Sequence, residues 1–159
     1  MRYVYWVSPG LLAGRPGPLR APWNLESLYD AGFRTIVSLS NEVNEQAIAE
    51  IGFLHLPAYA PPWPLLFDGL RRRFVRRVRP VVDFVAAQVA LGRPTLVHCH
   101  AGKDRTGVVL AGYLVCHCGL TPDEAVRALR RVNPVAMSAP GFEKAVVLFT
   151  DAVRQGGES

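Results

Sequence analysis

The chain has 159 residues, half of them hydrophobic, which is enough for one buried core and excludes disorder. Its net charge of +5, from 16 arginines and 2 lysines against 13 acidic residues, favours anionic partners without choosing among phosphate, nucleic acid and an anionic membrane surface. The apolar run YVYWV stops at Pro9 too early for a signal peptide, and the uncharged stretch 106–122 is too short to span a membrane, so a cytoplasmic protein with reduced cysteines is expected.

Along the chain, 3–7 and 11–13 read as short strands, followed by a Pro/Gly-rich loop to Trp23. NLESLYDAG (24–32) predicts a short helix closed by Gly32, and FRTIVSLS (33–40) a strand rich in β-branched residues. A helix is predicted over 41–52 with Asn41 as its cap, then a strand over 53–57 and a proline-rich loop over 58–67. Helical spacing joins Phe74, Val78, Val81, Val82, Val85 and Val89 on one face, and Pro80 inside that pattern predicts a kink or a break. PTLVHC (94–99) predicts a central, nearly all-apolar strand. Helices follow over 105–118, over 121–132 with Thr121 capping, and over 142–155. There is no repeat and no linker, so 1–159 is expected to be a single domain. The expected fold class is α/β, a central, mainly parallel sheet of four to five strands flanked by helices.

The chemistry is concentrated in LVHCHAGKDRTG, residues 96–107. Cys99 ends a predicted buried strand, and a helix starts about six residues later. Ligands of open α/β sheets bind at that end of the strands. The connecting loop, His100-Ala101-Gly102-Lys103-Asp104, can curl at Gly102 and turn its N–H groups inward as an anion nest, completed by the positive end of the helix. The same field favours the thiolate of a cysteine at its centre. Arg105 offers a planar fork to two oxygens of a tetrahedral oxyanion. A thiolate inside a phosphate cradle suits phosphoryl transfer to sulfur. The bland reading of Cys99 is a buried structural thiol, and that of Arg105 is a surface helix residue.

The string His98-Cys99-x-x-Gly102-Lys103-x-Arg105-Thr106-Gly107 resembles the signature of the cysteine-dependent protein tyrosine phosphatase superfamily, compact dual-specificity type. HCHAGKDRTG is most similar to bacterial tyrosine and lipid phosphatases and to atypical dual-specificity enzymes. SPGLLAGRPGP near the start, AGYLV after the loop and APGFEKAVVLF near the end are also similar to family positions.

The resemblance implies a dual-specificity phosphatase-like fold and hydrolysis of phosphotyrosine, and also of phosphoserine and phosphothreonine, through a phosphocysteine intermediate. It implies no cofactor and no metal. Cys99 would be the nucleophile, Arg105 and the 100–105 loop the phosphate-binding groups, and His98 a supporting residue that holds the loop. Thr106 would donate to the Cys99 sulfur and ease its departure; its bland role is a first-turn helix residue. The general acid is expected at Asp68, 31 positions before Cys99, or at Asp104 beside the arginine. Asp68 could equally cap the helix that follows it. The acid matters because a phenolate leaving group has a pKa near 10.

Lys103, one of two lysines in an Arg-rich chain, would by resemblance charge the pocket toward inositol phosphates, or else be an ordinary solvated lysine. A phosphoinositide or soluble inositol phosphate is therefore the alternative substrate, and a non-catalytic phosphate-binding module the alternative function. A sulfur-transfer enzyme of the rhodanese kind shares Cys-x5-Arg but not the Gly-Lys-x-Arg-Thr string. RRRFVRRVRP (71–80) holds six arginines in ten positions and reads either as a solvated helix face or as a surface for anionic substrate or lipid. No aromatic spacing for base stacking accompanies it, so no nucleic acid is expected. Cys116-His117-Cys118 lies roughly 20 Å along a helix from Cys99, too far to share a metal with it. The protein is expected to be a monomer that takes phosphate or sulfate into the loop.

Overall fold

The apolar run Thr95–Cys99 forms the central strand, buried at every position, of a five-stranded sheet in a computed structural model that describes residues 1–151. Strand β1 (Tyr5–Ser8) pairs antiparallel with β2 (Leu12–Pro16). The rest is parallel: β2 lies beside β5 (Thr95–Cys99), which lies beside β3 (Thr35–Ser38), and β4 (Leu54–Pro57) closes the edge in the order β1-β2-β5-β3-β4. This is the expected α/β class.

Because successive side chains of a strand face opposite ways, the sheet has two apolar faces, each needing a cover. One carries Ala13, Ile36 and Leu96 and packs on α1 (Leu25–Asp30) and α2 (Glu45–Ile51) through Leu28, Ile48 and neighbouring Phe33 and Phe53. The other carries Leu12, Val37, Val97 and Cys99 and packs on α3 (Asp68–Ala90), α4 (Arg105–Cys118), α5 (Pro122–Val132) and α6 (Phe142–Ala145). Cys99 and His98, adjacent in sequence, therefore look into different layers. Among the described residues no helix is long and apolar enough to cross a membrane.

Several expectations need correction. β2 runs on to Pro16, beyond the predicted 11–13, because parallel pairing of Arg15 with His98 and Pro16 with Cys99 carries residues of low strand propensity. The cap of α2 is Asn44, whose side chain accepts from Ala47 N–H, and not Asn41. Residues 41–43 stay off the helix, where Glu42 reaches across to Leu19 and His100. α3 continues through Pro80 without a break. Pro80 sits on the exposed side, so the Arg76 carbonyl it leaves without a donor can turn to water while the buried stripe Phe74, Val78, Val81, Val82 and Val85 holds the helix. The predicted helix 142–155 is α6, two turn residues and a further helical stretch from Leu148; its part beyond 151 lies outside the described residues. Thr121 caps α5 as expected, with Glu124 completing a capping box.

Candidate active site

Cys99 is 2% exposed at the carboxyl end of β5, and α4 starts at Arg105. The loop between them is shaped by the strand ends beside it. Gly102 has φ +70°, and a Cβ there would lie 2.5 Å from the Arg15 carbonyl carbon and the Pro16 nitrogen. Only glycine fits that curl.

Three carbonyl oxygens of the loop, those of His100, Gly102 and Lys103, are engaged by residues outside it. Gly17 N–H donates to His100 O (3.0 Å), Tyr5 O–H to Gly102 O (2.6 Å), Asn133 Nδ2 to Gly102 O (3.3 Å), and Met137 N–H to Lys103 O (2.9 Å). The N–H groups of Ala101 to Asp104 find no acceptor among the described residues. A loop with its carbonyls engaged outside and its N–H groups free presents positive dipoles to its interior.

Arg105 is 6% exposed and donates twice from Nη1, to Leu39 O (3.1 Å) and Ala60 O (2.9 Å). Its Nε–Nη2 edge makes no protein hydrogen bond among the described residues, so one side of the guanidinium is anchored and the other can hold a two-oxygen ligand. Thr106 is fully buried on the next position, and its hydroxyl has no hydrogen-bond partner among the described residues, Cys99 included.

His98 is fully buried on the other face, edge-on to Trp23 with ring centroids 5.0 Å apart. Its Nε2 is 2.7 Å from Ser38 Oγ and its Nδ1 3.3 Å from the Cys99 carbonyl oxygen, while His55 Nε2 lies 2.8 Å from the same serine. A carbonyl only accepts, so Nδ1 of His98 carries the proton, Ser38 donates to Nε2, and His55 donates to Ser38. Burial lowers the His98 pKa to about 4, against a weaker raising effect of the Cys99 carbonyl, so the ring is neutral. The neutral ring thus joins Ser38 to the Cys99 carbonyl at the start of the loop.

The two candidate acids differ in surroundings. Asp68 is the first residue of α3; its side chain is 74% exposed and bonded to Arg71 at 2.6 Å. That hydrogen bond, with the charge of the same arginine, holds its carboxyl below the ordinary range. The residue before it, Phe67, stands at the cap position, so Asp68 is not the cap. Asp104 is in the loop itself: Oδ2 accepts from Lys103 Nζ (2.9 Å) and Oδ1 from Ala139 N–H (3.1 Å). Lys103 Nζ also donates to Ser138 Oγ (2.9 Å). Lys103 is thus a tie between the loop and 138–139, not a freely solvated lysine.

The structure brings Cys99, Ala101 to Lys103, Arg105 and Thr106 together around one loop and leaves Asp68 bonded to its own helix. His100 is half out of the loop, its Nδ1 3.2 Å from Glu42 Oε2. Burial acts to raise the Glu42 carboxyl, but Leu19 N–H and His100 outweigh it and hold it below its ordinary value. Glu42, Tyr5, Asn133, Met137 and Ser138 brace the loop, and none carried a sequence signal: each lies 31 or more residues from its partner. Cys116 and Cys118 lie in the last turn of α4, and His117 between them is bonded to Asp83.

Residues 23–152 match the family model described as dual specificity phosphatase, catalytic domain. Dual specificity phosphatase 28 of Homo sapiens is 26% identical over 148 residues, covering 93% of this chain and 78% of that protein. Phosphatidylglycerophosphate phosphatase PTPMT1 of Arabidopsis thaliana is 38% identical over 68 residues, covering 43% of this chain and 20% of the relative, so the chain spans most of the first relative and a fifth of the second. Among solved structures, PTPMT1 in complex with PI(5)P has the same fold, with a TM-score of 0.79 at 15% identity over 98% of this chain and 99% of that one.

Proposed function

This chain belongs to the dual specificity phosphatase family, and from that premise we propose that it is a cysteine-dependent phosphomonoester hydrolase, with 1–159 as its single phosphatase domain. The observation that carries the reading is the orientation of the loop. The carbonyls of His100, Gly102 and Lys103 are engaged outside it, the N–H groups of Ala101 to Asp104 have no acceptor among the described residues, and Arg105 is anchored through Nη1.

Phosphate enters the 99–105 loop, where the N–H groups of Ala101 to Asp104 and the Nε–Nη2 edge of Arg105 hold its equatorial oxygens. The Cys99 thiolate attacks phosphorus in line as the ester P–O bond breaks. The leaving oxygen takes a proton from Asp104 or Asp68. Water then attacks the phosphocysteine, the S–P bond breaks, and the thiolate leaves with inorganic phosphate. In this reading the Thr106 hydroxyl, buried and without a partner among the described residues, donates to that departing sulfur.

The substrate we propose first is phosphotyrosine, with phosphoserine and phosphothreonine as further substrates. A phosphoinositide or inositol phosphate is the second reading, supported by the structural neighbour PTPMT1 solved with PI(5)P, with a relative named as a phosphatidylglycerophosphate phosphatase pointing to lipid phosphates more broadly. The test is phosphate release from a phosphotyrosine peptide and from a phosphoinositide, each with Cys99→Ser as control. Release lost in Cys99→Ser, with a phosphocysteine trapped by acid quench, supports the mechanism. Release that survives the substitution overturns it. Phosphate bound by the loop with no release from either substrate would leave a phosphate-binding module.

A further inference from the structure

Tyr59, Trp63, Leu66, Phe67 and Leu70 are 42, 69, 59, 67 and 39% exposed, five large apolar side chains within one short stretch of loop and first helical turn. Trp63 and Leu70, with Leu65, Phe74, Arg73 and Arg77, line a groove of about 290 Å³ there. Single exposed apolar residues need no explanation, but a contiguous group marks an interaction surface.

The adjoining helix face is cationic. Arg72, Arg73, Arg76 and Arg77 are exposed, and among the described residues none of the four forms an ion pair. Arg71 and Arg79, at the ends of the run, are the two neutralised, by Asp68 and Asp83. The spacing i, i+1, i+4, i+5 gathers the four free charges on one side of α3. Arg77 Nε donates to Tyr59 O (2.9 Å), which fixes the apolar loop to the cationic helix as one surface. The next residue, Ala60, holds Arg105, so this surface borders the phosphate loop.

Charge complementarity and the kind of apolar group decide the occupant. Aromatic rings and leucines flanked by unpaired arginines match the headgroup layer of an anionic bilayer, where rings sit at the interface, arginine stems lie along apolar surface and guanidinium groups meet phosphates. We propose that the face formed by Tyr59 to Arg77 docks on anionic phospholipid bilayers, burying Trp63, Leu66 and Phe67 at headgroup depth under the four arginines. This goes beyond the phosphatase reading and does not rest on it, since it uses no residue of the 98–106 loop.

The experiment is vesicle cosedimentation of the full chain carrying Cys99→Ser, so that turnover plays no part. Vesicles of phosphatidylcholine mixed about three to one with phosphatidylserine bind the protein, in a salt-dependent way, and phosphatidylcholine alone does not. Trp63 is the exposed tryptophan, and its emission shifts to the blue on binding; Trp63→Phe abolishes that shift. Arg72→Gln with Arg76→Gln lowers the partition constant about tenfold or more, as does Leu66→Ser with Phe67→Ser, since each arginine near such a surface is worth about fivefold. Unchanged melting temperatures show that the variants fold. In the Cys99 protein the same substitutions leave hydrolysis of a soluble aryl phosphate unchanged, which separates loss of docking from failure of the phosphatase reading. No binding to the anionic vesicles at low salt, equal binding by all variants, or binding without the Trp63 shift overturns the proposal. So does self-association that these substitutions abolish, which would make the face a contact between copies.

Discussion

Arg105 commits Nη1 to the carbonyl oxygens of Leu39 and Ala60, so a lysine in its place keeps the charge and loses the geometry. Arg105→Lys should therefore act twice. Two buried carbonyls lose a donor, which costs about 2 kcal/mol of stability in urea unfolding. The two-oxygen grip on phosphate is lost as well, and kcat falls by about a hundredfold or more. An unchanged kcat would mean that the anchored arginine is scaffolding only. Thr106 gives the opposite pattern. Its hydroxyl is buried with no partner, so Thr106→Val removes an unsatisfied polar atom and leaves the melting temperature equal or higher. Breakdown of the phosphocysteine should slow about tenfold or more, seen as a larger burst in rapid-quench traces. A variant as fast as the parent would make Thr106 an ordinary helix residue. The placement of both residues, just after an apolar strand and at the start of a helix, was legible because that setting is local. Glu42 and Tyr5 were not, since their contacts with the loop join positions 58 and 97 residues apart and no short-range pattern encodes such a meeting.

At the scale of elements, periodicity did most of the work. The valine stripe of α3 and the Thr121 cap of α5 came out as read, because burial on one face and a side chain bonding to a nearby N–H are both written into adjacent residues. Where tertiary contacts decide, adjacent residues do not carry the answer. The expected cap Asn41 gives way to Asn44, because Glu42 crosses to Leu19 and His100 and keeps residues 41–43 off the helix. Pro80 is the instructive case. Its exposed position lets α3 pass through it, but the bond from residue 80 to the Arg76 carbonyl is still missing. Pro80→Ala restores that bond and relieves the ring, at the expense of a freer unfolded chain. The net should be a gain of about 1–2 kcal/mol and a rise of roughly 4 °C in melting temperature. A loss of stability would show that the proline is adapted to a bend that the packing of α3 on α4 requires.

Across the whole molecule, the parallel order puts the carboxyl ends of β2, β5 and β3 side by side, and the 99–105 loop sits where those three ends meet. The class of sheet was legible from alternating elements; its strand order was not, because pairing partners leave no mark on one strand's sequence. The order has a consequence for pH. It sets Ser38 of β3 beside His98 of β5 and within reach of His55 of β4, so a line of hydrogen bonds crosses the sheet to the Cys99 carbonyl. His98 is fully buried there, and burial lowers its pKa from the ordinary 6.5 to about 4. Between those two values the unfolded chain binds a proton that the native protein refuses, so stability falls as the pH drops through this window. The loss reaches about 3 kcal/mol at its acid end. His98→Gln has no proton to take up, and its stability should fall less between pH 7 and pH about 4.5, by roughly 2 kcal/mol, in urea titrations of the two proteins. The carboxylates, and His55, whose pKa burial also lowers, lose stability toward acid in both proteins, so the difference between the two curves is the measure of His98. Parallel curves would mean that the native His98 ring does accept a proton, and that water reaches the line of hydrogen bonds behind the phosphate loop.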